Sequence, residues 1–227
     1  GSERRNGMSV LVECWGDYAC FSRPEMKVER VSYDVPTPSA MRGLLEAVYW
    51  HPGMRWVIDK IYVEKPIRFT SIRRNEVKCK LSAANARTVM LGGDRELAVY
   101  RAEEIVQRTS LILRDVRYVV KAHFEMTEAA NESDNPGKFQ DIIKRRLRRG
   151  QCYHQPYFGC REYPARFALY EGAEKEIKTY EGAKEEEPLG YMLYDKDYGT
   201  PGDIRPRFFR AVLRWGVLDL TDCEVVE

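Results

Sequence analysis

The sequence predicts an α+β protein in which a ferredoxin-like amino-terminal domain precedes a small, antiparallel β-sheet carboxy-terminal domain. The first observation is the order of elements: strand, helix, strand, strand, helix, with a further strand expected next. That order is the split βαβ pattern, an antiparallel sheet with helices on one face. The second observation is a change of composition after residue 150, where aromatic side chains stand among prolines and glycines. The predicted domains are therefore 8–150 and 151–227.

Apolar periodicity indicates the first two elements. Residues 9–15 alternate and end in a tryptophan, which predicts a strand, and a long connection over 17–36 follows. Thr37 and Pro38 indicate a helix start, with Thr37 as the N-cap and Pro38 at the first helical position. The predicted helix ends before Pro52–Gly53, and its buried stripe has helical spacing: Met41, Leu44, Leu45 and Val48.

The middle of the chain is predicted to be mostly β-structure. In order, we expect a strand over 55–69, a basic hairpin or loop over 68–80, a flexible insertion over 82–93, and strands over 96–100 and 107–113. A second helix is predicted to begin at Asn135–Pro136 and to end at Gly150. Its buried stripe consists of Phe139, Ile142, Ile143 and Leu147.

The last third of the chain is predicted to be β-rich and to continue or abut the first sheet. A stretch rich in Glu and Lys over 171–187 predicts a solvated hairpin tip. Strands are expected over 191–194 and 208–220, the second of which turns at Trp215–Gly216.

One predicted strand, 118–126, carries the residues best suited to chemistry. Because side chains alternate along a strand, Lys121, His123 and Glu125 share one face, opposite an apolar face formed by Val120, Ala122, Phe124 and Met126. A lysine can neutralise a phosphate, and a histidine can move protons near neutral pH. The alternative is an amphipathic strand with one face in water.

Two basic clusters indicate contact with nucleic acid. The first, on the second predicted helix, consists of Lys144, Arg145, Arg146, Arg148 and Arg149. The second, in the predicted hairpin, includes Arg68, Arg73, Arg74 and Lys78. Basic side chains bind phosphates, and the aromatic stretch after residue 150 offers planar groups on which unpaired bases can stack. The alternative is a solvated helix face, which explains most runs of charge.

Composition argues against several classes of protein. The 37 basic residues nearly balance the 35 acidic ones, so the pattern of charge is informative and its total is not. We find no apolar run near the roughly 18 residues of a membrane span. The six cysteines include no C-x-x-C pair, and there are three histidines, so we expect a cytoplasmic protein without a disulfide framework, metal or cofactor. A metal-independent reaction remains open for RNA, which carries its own nucleophile, the 2′-hydroxyl.

Several segments resemble a known protein family. They are residues 15–50, 65–77, the strand VVKAHFEM at 119–126, and GQCYHQP through PARF at 150–167. Together they resemble CRISPR-associated protein family five in its subtype I-C form. The resemblance implies an RRM-related, ferredoxin-like domain of the RAMP superfamily followed by a small β-sheet domain. It also implies binding of the CRISPR repeat hairpin in precursor crRNA.

The resemblance further implies a metal-independent endoribonuclease. The 2′-hydroxyl attacks at the hairpin base and leaves a 2′,3′-cyclic phosphate and a 5′-hydroxyl. The family's catalytic positions match Tyr49, Lys121 and His123. In this scheme His123 is the general base or acid, Lys121 stabilises charge on the phosphorane, and Tyr49 orients the 2′-hydroxyl. The alternative for Tyr49 is the commoner use of a tyrosine at this position, to anchor the helix to the core.

Partners are implied in the same way. A protein of this family stays on the 5′ handle of the mature crRNA within the type I-C Cascade surveillance complex, beside the family-seven backbone and the subtype I-C large subunit. One alternative is a non-catalytic subunit that binds the crRNA handle and scaffolds its neighbours. A metal-dependent DNA nuclease is a third class, but it would require clustered carboxylates, which the sequence does not display.

Overall fold

The computed structural model describes residues 9–26, 28–77, 105–200 and 203–226. Within these ranges the strands are β1 (Val10–Ala19), β2 (Arg30–Val31), β3 (Met54–Val63), β4 (Phe69–Val77), β5 (Ile105–Met126), β6 (Arg166–Leu169), β7 (Glu187–Thr200), β8 (Asp203–Arg214), β9 (Val217–Asp219) and β10 (Val225–Val226). The helices are α1 (Pro38–Val48) and α2 (Pro136–Arg149), with a short 3₁₀ turn at Glu174–Glu176.

All ten strands belong to one sheet, which is antiparallel except where β2 pairs with β5. The order along the sheet is β10-β8-β9-β3-β5-β1-β6, and β7 pairs with β8. The central strand, β5, has 22 residues. Its second half lies between β1 and β3, and its first half pairs with β4. The fold is therefore α+β, mostly antiparallel sheet with few helices.

Both predicted helices are confirmed, together with their N-caps and the end of α2, whereas α1 ends at Val48, ahead of the predicted stop at Pro52–Gly53. The Thr37 side chain accepts a hydrogen bond from the Ala40 amide at 3.2 Å, and the predicted stripe of α1 is buried. In α2 the Asn135 side chain accepts from the Lys138 amide at 2.8 Å. Gly150 ends α2 in the left-handed region with φ 64°. Local signals suffice here because each cap is completed within four residues of the helix end.

The two helices cover one face of the sheet and thereby define the other. The Phe139 ring of α2 lies 6.1 Å from the Phe124 ring of β5, and Val120 and Ala122, which share the face of Phe124, are buried. Lys121 and His123 consequently lie on the opposite face. The segment after β6 crosses that face, where the Tyr180 amide donates to the Val63 carbonyl at 3.0 Å.

Several predicted elements differ from those observed. The strand expected over 55–69 ends at Val63. The basic stretch 68–80, expected to be a hairpin or loop, contains the single strand β4, which pairs with the distant β5. The strands predicted over 107–113 and 118–126 are one strand, β5, because its pairing with β4 and then β1 continues past Asp115, although Asp115 adopts φ 50°. The insertion over 82–93 and the strand over 96–100 lie outside the described residues.

The solvated hairpin tip expected over 171–187 is wrong. The strands on either side of it do not pair with each other, since β6 pairs with β1 and β7 pairs with β8. The physical reason is that Glu174 binds groups on the sheet and holds the segment against it. The turn predicted at Trp215–Gly216 is confirmed, with φ of 52° and 75°.

Candidate active site and nucleic-acid interface

His123 is the best-positioned acid–base group on the face opposite the helices. His123 is buried, with 8% of the residue exposed, and its Nδ1 lies 2.7 Å from Oδ2 of Asp59. Asp59 stands where the register between β3 and β5 shifts, between Ile58 and Lys60. This bulge is the local feature of β3 that sets Asp59 beside the imidazole, since a bulge changes the direction of a side chain.

The contact with Asp59 determines what each ring nitrogen can do. A carboxylate only accepts hydrogen bonds, so Nδ1 carries the proton that it donates to Asp59. Nε2 is then the nitrogen available for proton transfer, and it lies 3.7 Å from Oε1 of Glu125. Arg55 donates to Glu125 and lowers the pKa of that carboxyl group. Glu125 therefore stays ionised beside the imidazole.

Lys121 lies on the same face, as predicted, and is engaged by an acid. Its Nζ donates to Oε2 of Glu174 at 2.7 Å, and the Tyr62 hydroxyl donates to Oε1 of the same carboxylate at 2.7 Å. Burial raises the pKa of Glu174, but the hydrogen bonds from Lys121 and Tyr62 outweigh it, so the pKa lies below its ordinary value. The Glu174 carboxylate thus occupies the position beside Lys121 at which a phosphate oxygen would bind.

Tyr49 lies elsewhere. Its ring packs at 6.1 Å from Phe139 of α2 and stacks on Tyr153 at 6.3 Å, which places it on the helix-covered face. Burial raises the pKa of its hydroxyl. The structure therefore brings Lys121 and His123 together and leaves Tyr49 on the other side of the sheet, where it anchors α1.

The basic cluster on α2 is partly engaged by the protein itself. Arg146 donates to the Val48 carbonyl at 2.9 Å, and its guanidinium lies 4.1 Å from the centre of the Tyr153 ring. Arg148 pairs with Glu171 at 2.8 Å. Arg145 and Arg149 are exposed, and Lys144 is half-buried. Arg145 and Arg149 therefore offer this cluster's most accessible charge.

The second basic cluster lies on β4. Arg68, just before the strand, and Arg73 are exposed, whereas Arg74 pairs with Glu162 and donates to the Tyr163 hydroxyl at 3.2 Å. Lys78 lies outside the described residues. Because Tyr163 contacts Arg74 and Tyr153 contacts Arg146, the segment 151–165 runs from one basic cluster to the other.

Sequence reasoning missed Asp59, Glu174 and an aromatic cavity. Asp59 was detectable in principle, because it is the one acidic residue in β3. Glu174 was hidden in a run of charge. The cavity, about 1120 Å³, lies between α1 and the segment 151–161, and Trp50, Tyr153, Tyr157 and Arg161 are part of its lining.

Two further observations concern the described ranges. No three or more His, Cys, Asp or Glu side chains there are grouped to hold a metal ion. No helix in that part of the chain is long and apolar enough to cross a membrane.

Known proteins are similar to this chain over most of its length. The family model Cas_Cas5d, described as CRISPR-associated protein (Cas_Cas5), matches residues 9–221. A protein of Mannheimia succiniciproducens named CRISPR pre-crRNA endoribonuclease Cas5d is 46% identical over 213 residues, which are 93% of this chain and 94% of the relative. A protein of the same name from Thermus thermophilus is 39% identical over 228 residues, covering 93% of this chain and 90% of the relative.

Solved structures share the fold at lower identity. A crystal structure of a CRISPR-associated protein superposes with a TM-score of 0.69 at 22% identity, covering 96% of each chain. A functionally uncharacterised protein from Streptococcus mutans gives a TM-score of 0.67, also at 22% identity, over 96% of this chain and 97% of the other. A chain of a CRISPR RNA-guided surveillance complex gives 0.50 at 14% identity, over 96% and 89%.

Proposed function

This chain belongs to the Cas5d family of CRISPR-associated proteins, and we propose that it is the endoribonuclease that cleaves precursor crRNA. The two curated relatives, which extend over nearly the whole chain, carry that activity in their names. The observation that carries the chemistry is the face on which Asp59, His123 and Lys121 meet. On this face His123 can accept a proton, Asp59 orients the His123 imidazole, and Lys121 provides a cation for a phosphate.

The cleavage step follows from these three groups. His123 Nε2 takes the proton of the RNA 2′-hydroxyl, and the 2′ oxygen forms a bond to phosphorus. The bond from phosphorus to the 5′ oxygen breaks, and that oxygen takes up a proton, which leaves a 2′,3′-cyclic phosphate and a 5′-hydroxyl. Asp59 stabilises the imidazolium as it forms. Lys121, released from Glu174, would stabilise charge on the phosphorane oxygens.

The reaction proposed needs no metal ion, since the nucleophile belongs to the RNA and the base to the protein. A role for Tyr49 in the chemistry stays a prediction, and its place on the helix-covered face favours a part in positioning RNA or in the core. Contact of the RNA with Arg68, Arg73, Arg74, Lys78, Lys144, Arg145, Arg146, Arg148 and Arg149 also stays a prediction.

We further propose that the core is ferredoxin-like and of the RAMP type. Support comes from the order β3-β5-β1-β6 in the sheet, with α1 between β1 and β3 and α2 between β5 and β6. The division at 8–150 and 151–227 remains a proposal. Since β6 pairs with β1 and β9 pairs with β3, strands of the second part border the first on both sides.

After cleavage, the protein is proposed to stay on the 5′ handle of the crRNA in the cytoplasm, as a subunit of the type I-C Cascade complex. The family-seven backbone and the large subunit would be its neighbours. This protein shares its fold with a chain of a CRISPR RNA-guided surveillance complex, which is compatible with such an assembly. The alternative, a non-catalytic handle-binding scaffold, predicts that the purified protein binds repeat RNA without shortening it.

Incubation of repeat hairpin RNA with purified protein in excess EDTA tests the function. We expect cleavage by wild type and a loss of roughly 100-fold or more in His123→Gln, because general base catalysis typically contributes that much. His51→Gln makes the same change at a histidine on the helix-covered side and should cleave normally. Cleavage abolished by EDTA would refute the metal-free reaction. Full activity in His123→Gln would refute the role of His123.

A further inference from the structure

The aromatic cavity beside α1 has the features of a binding site. Trp50 follows the end of α1 and is 50% exposed, and Tyr153 and Tyr157, on the facing segment, are 56% and 38% exposed. All three side chains contribute to the lining of the same cavity of about 1120 Å³. Large aromatic residues exposed together are costly to leave in water, and such patches commonly mark interaction sites.

The Tyr153 ring is held in place before any ligand arrives. The Tyr49 ring stacks on it with 19° between the planes, and the Arg146 guanidinium lies 4.1 Å from its centre. Its backbone amide donates to the Ala47 carbonyl at 2.8 Å, and the His154 amide donates to the same oxygen at 3.2 Å. A ring fixed in this way loses little side-chain entropy when a planar ligand stacks on its exposed part.

The charge around the cavity favours an anionic ligand. Arg161 contributes to the lining and is exposed, and the Arg146 guanidinium lies against the Tyr153 ring that lines the cavity. The lining also contains an acid, Glu46, but Arg42 pairs with it at 3.5 Å. Burial raises the pKa of the Glu46 carboxyl group above its ordinary value, and the charge of Arg42 only partly opposes that rise. A planar group with phosphates attached fits this combination of exposed rings and cations.

We propose that the cavity binds an unpaired nucleobase of RNA, stacked on Trp50 and Tyr153, while the adjoining phosphates contact the arginines. The inference deepens the proposed function and rests on it for the identity of the nucleic acid. Since the cavity lies on the helix-covered side and His123 on the other, the bound base flanks the hairpin and is not at the cleaved bond. The site holds single-stranded RNA while the cleavage face acts on the hairpin.

Binding of fluorescein-labelled oligoadenylate tests the proposal against a length-matched oligomer with abasic sugars. Trp50→Ala and Tyr153→Ala should bind oligoadenylate roughly 5- to 100-fold more weakly than wild type, because stacking of one base contributes that much. Affinity for the abasic oligomer should not change, since its phosphates remain. Tyr191→Ala removes an aromatic residue that is 64% exposed on β7 and should behave as wild type with both probes.

The possible outcomes separate this site from the proposed function. Wild-type affinity for oligoadenylate in both folded variants, with repeat RNA still cleaved, would overturn the cavity and leave the function standing. Weakened oligoadenylate binding without any cleavage of repeat RNA by wild type would support the cavity and overturn the function. Equal losses on both probes would indicate a general loss of charge contacts and overturn stacking. Failure of wild type to bind oligoadenylate, as for a cavity that receives a protein segment, would also overturn it. Melting temperatures confirm that each variant is folded.

Discussion

At the scale of single residues, the contact between Asp59 and His123 distinguishes a catalytic face from an ordinary polar strand. The 2.7 Å distance leaves one ring nitrogen bound and the other available. A carboxylate in that position fixes the tautomer and stabilises the protonated ring during proton transfer. The same geometry therefore predicts which substitution should slow chemistry without weakening RNA binding.

Asp59→Asn should reduce the cleavage rate by about 100-fold or more at neutral pH while the Kd for repeat RNA stays within about twofold. The amide keeps a neighbour for Nδ1 but removes the charge that stabilises the imidazolium. Single-turnover cleavage and filter binding measure the two quantities. Asp222→Asn, on an exposed loop, is the control. A parallel loss of binding and rate would instead assign Asp59 to the structure of the site.

Glu174 provides the second prediction at this scale, because it neutralises Lys121. In Glu174→Gln the lysine is free to contact a phosphate, so repeat RNA should bind more tightly at low salt. The slope of log Kd against log salt concentration should steepen by about 0.7–0.9, which corresponds to one additional phosphate contact. Glu181→Gln, which is exposed, controls for the loss of one negative charge. An unchanged slope would contradict a phosphate position at Lys121.

Local and long-range parts of this site differ in what sequence alone could predict. Strand alternation over three residues predicts that Lys121 and His123 share one face of the sheet, and the structure confirms this placement. The contacts of His123 with Asp59 and of Lys121 with Glu174 join residues 64 and 53 positions apart. No local pattern encodes such contacts, because they depend on the pairing of β3 with β5 and on the path of the segment after β6.

At the scale of elements, short-range chemistry predicts the N-caps of both helices and the C-terminal end of α2. Gly150 closes α2 with a positive φ, and a Cβ added there would meet nothing within 4 Å. Gly43 lies within α1, is exposed and is equally free of close neighbours. The two glycines therefore differ in backbone conformation and not in available space.

Alanine should have opposite effects at these two positions. Gly150→Ala should lower the free energy of unfolding by about 1 kcal/mol, because a side chain disfavours the left-handed conformation. Gly43→Ala should raise it by up to about 1 kcal/mol, because alanine is the better helix former. Urea unfolding of both variants measures the differences. Stabilisation by Gly150→Ala would show that the cap conformation does not limit stability.

Elements that depend on distant partners were harder to predict than the helices. The continuity of β5 past Asp115 is visible only when β1 and β4 are both in place on either side. Likewise the segment 171–187 contains no apolar pattern that would indicate contact with a sheet. Its attachment depends on hydrogen bonds to distant residues, such as that of Glu174 with Lys121 and that of the Tyr180 amide with the Val63 carbonyl, so composition alone favoured a solvated tip.

At the scale of the whole molecule, one network of charge ties several parts of the sheet together. Arg117 of β5 pairs with Glu13 of β1 and lies 3.6 Å from Glu64, just after β3. Burial, followed by the negative charge of Glu13, raises the pKa of Glu64 from 4.5 to about 7. The folded protein therefore keeps a proton on Glu64 at pH values where the unfolded chain releases it.

Stability should consequently depend on pH in a defined window. The contribution of Glu64 is fully present below about pH 4.5 and is lost as the pH rises through about 7. Glu64→Gln should flatten this part of the dependence and, relative to wild type, be more stable at pH 8 than at pH 5. Chemical denaturation at both pH values measures the effect, with Glu185→Gln as an exposed control. Parallel profiles for wild type and Glu64→Gln would contradict the raised pKa.

Metal-free attack by the RNA 2′-hydroxyl can be tested with one repeat RNA in two forms, in excess EDTA. One form is all-ribose, and the other carries a single 2′-deoxyribose at the nucleotide 5′ to the cleaved bond. We predict that the wild-type protein cleaves the first form to a 2′,3′-cyclic phosphate and leaves the second intact. Cleavage of the deoxy-substituted RNA at the same bond and rate would rule out attack by the 2′-hydroxyl.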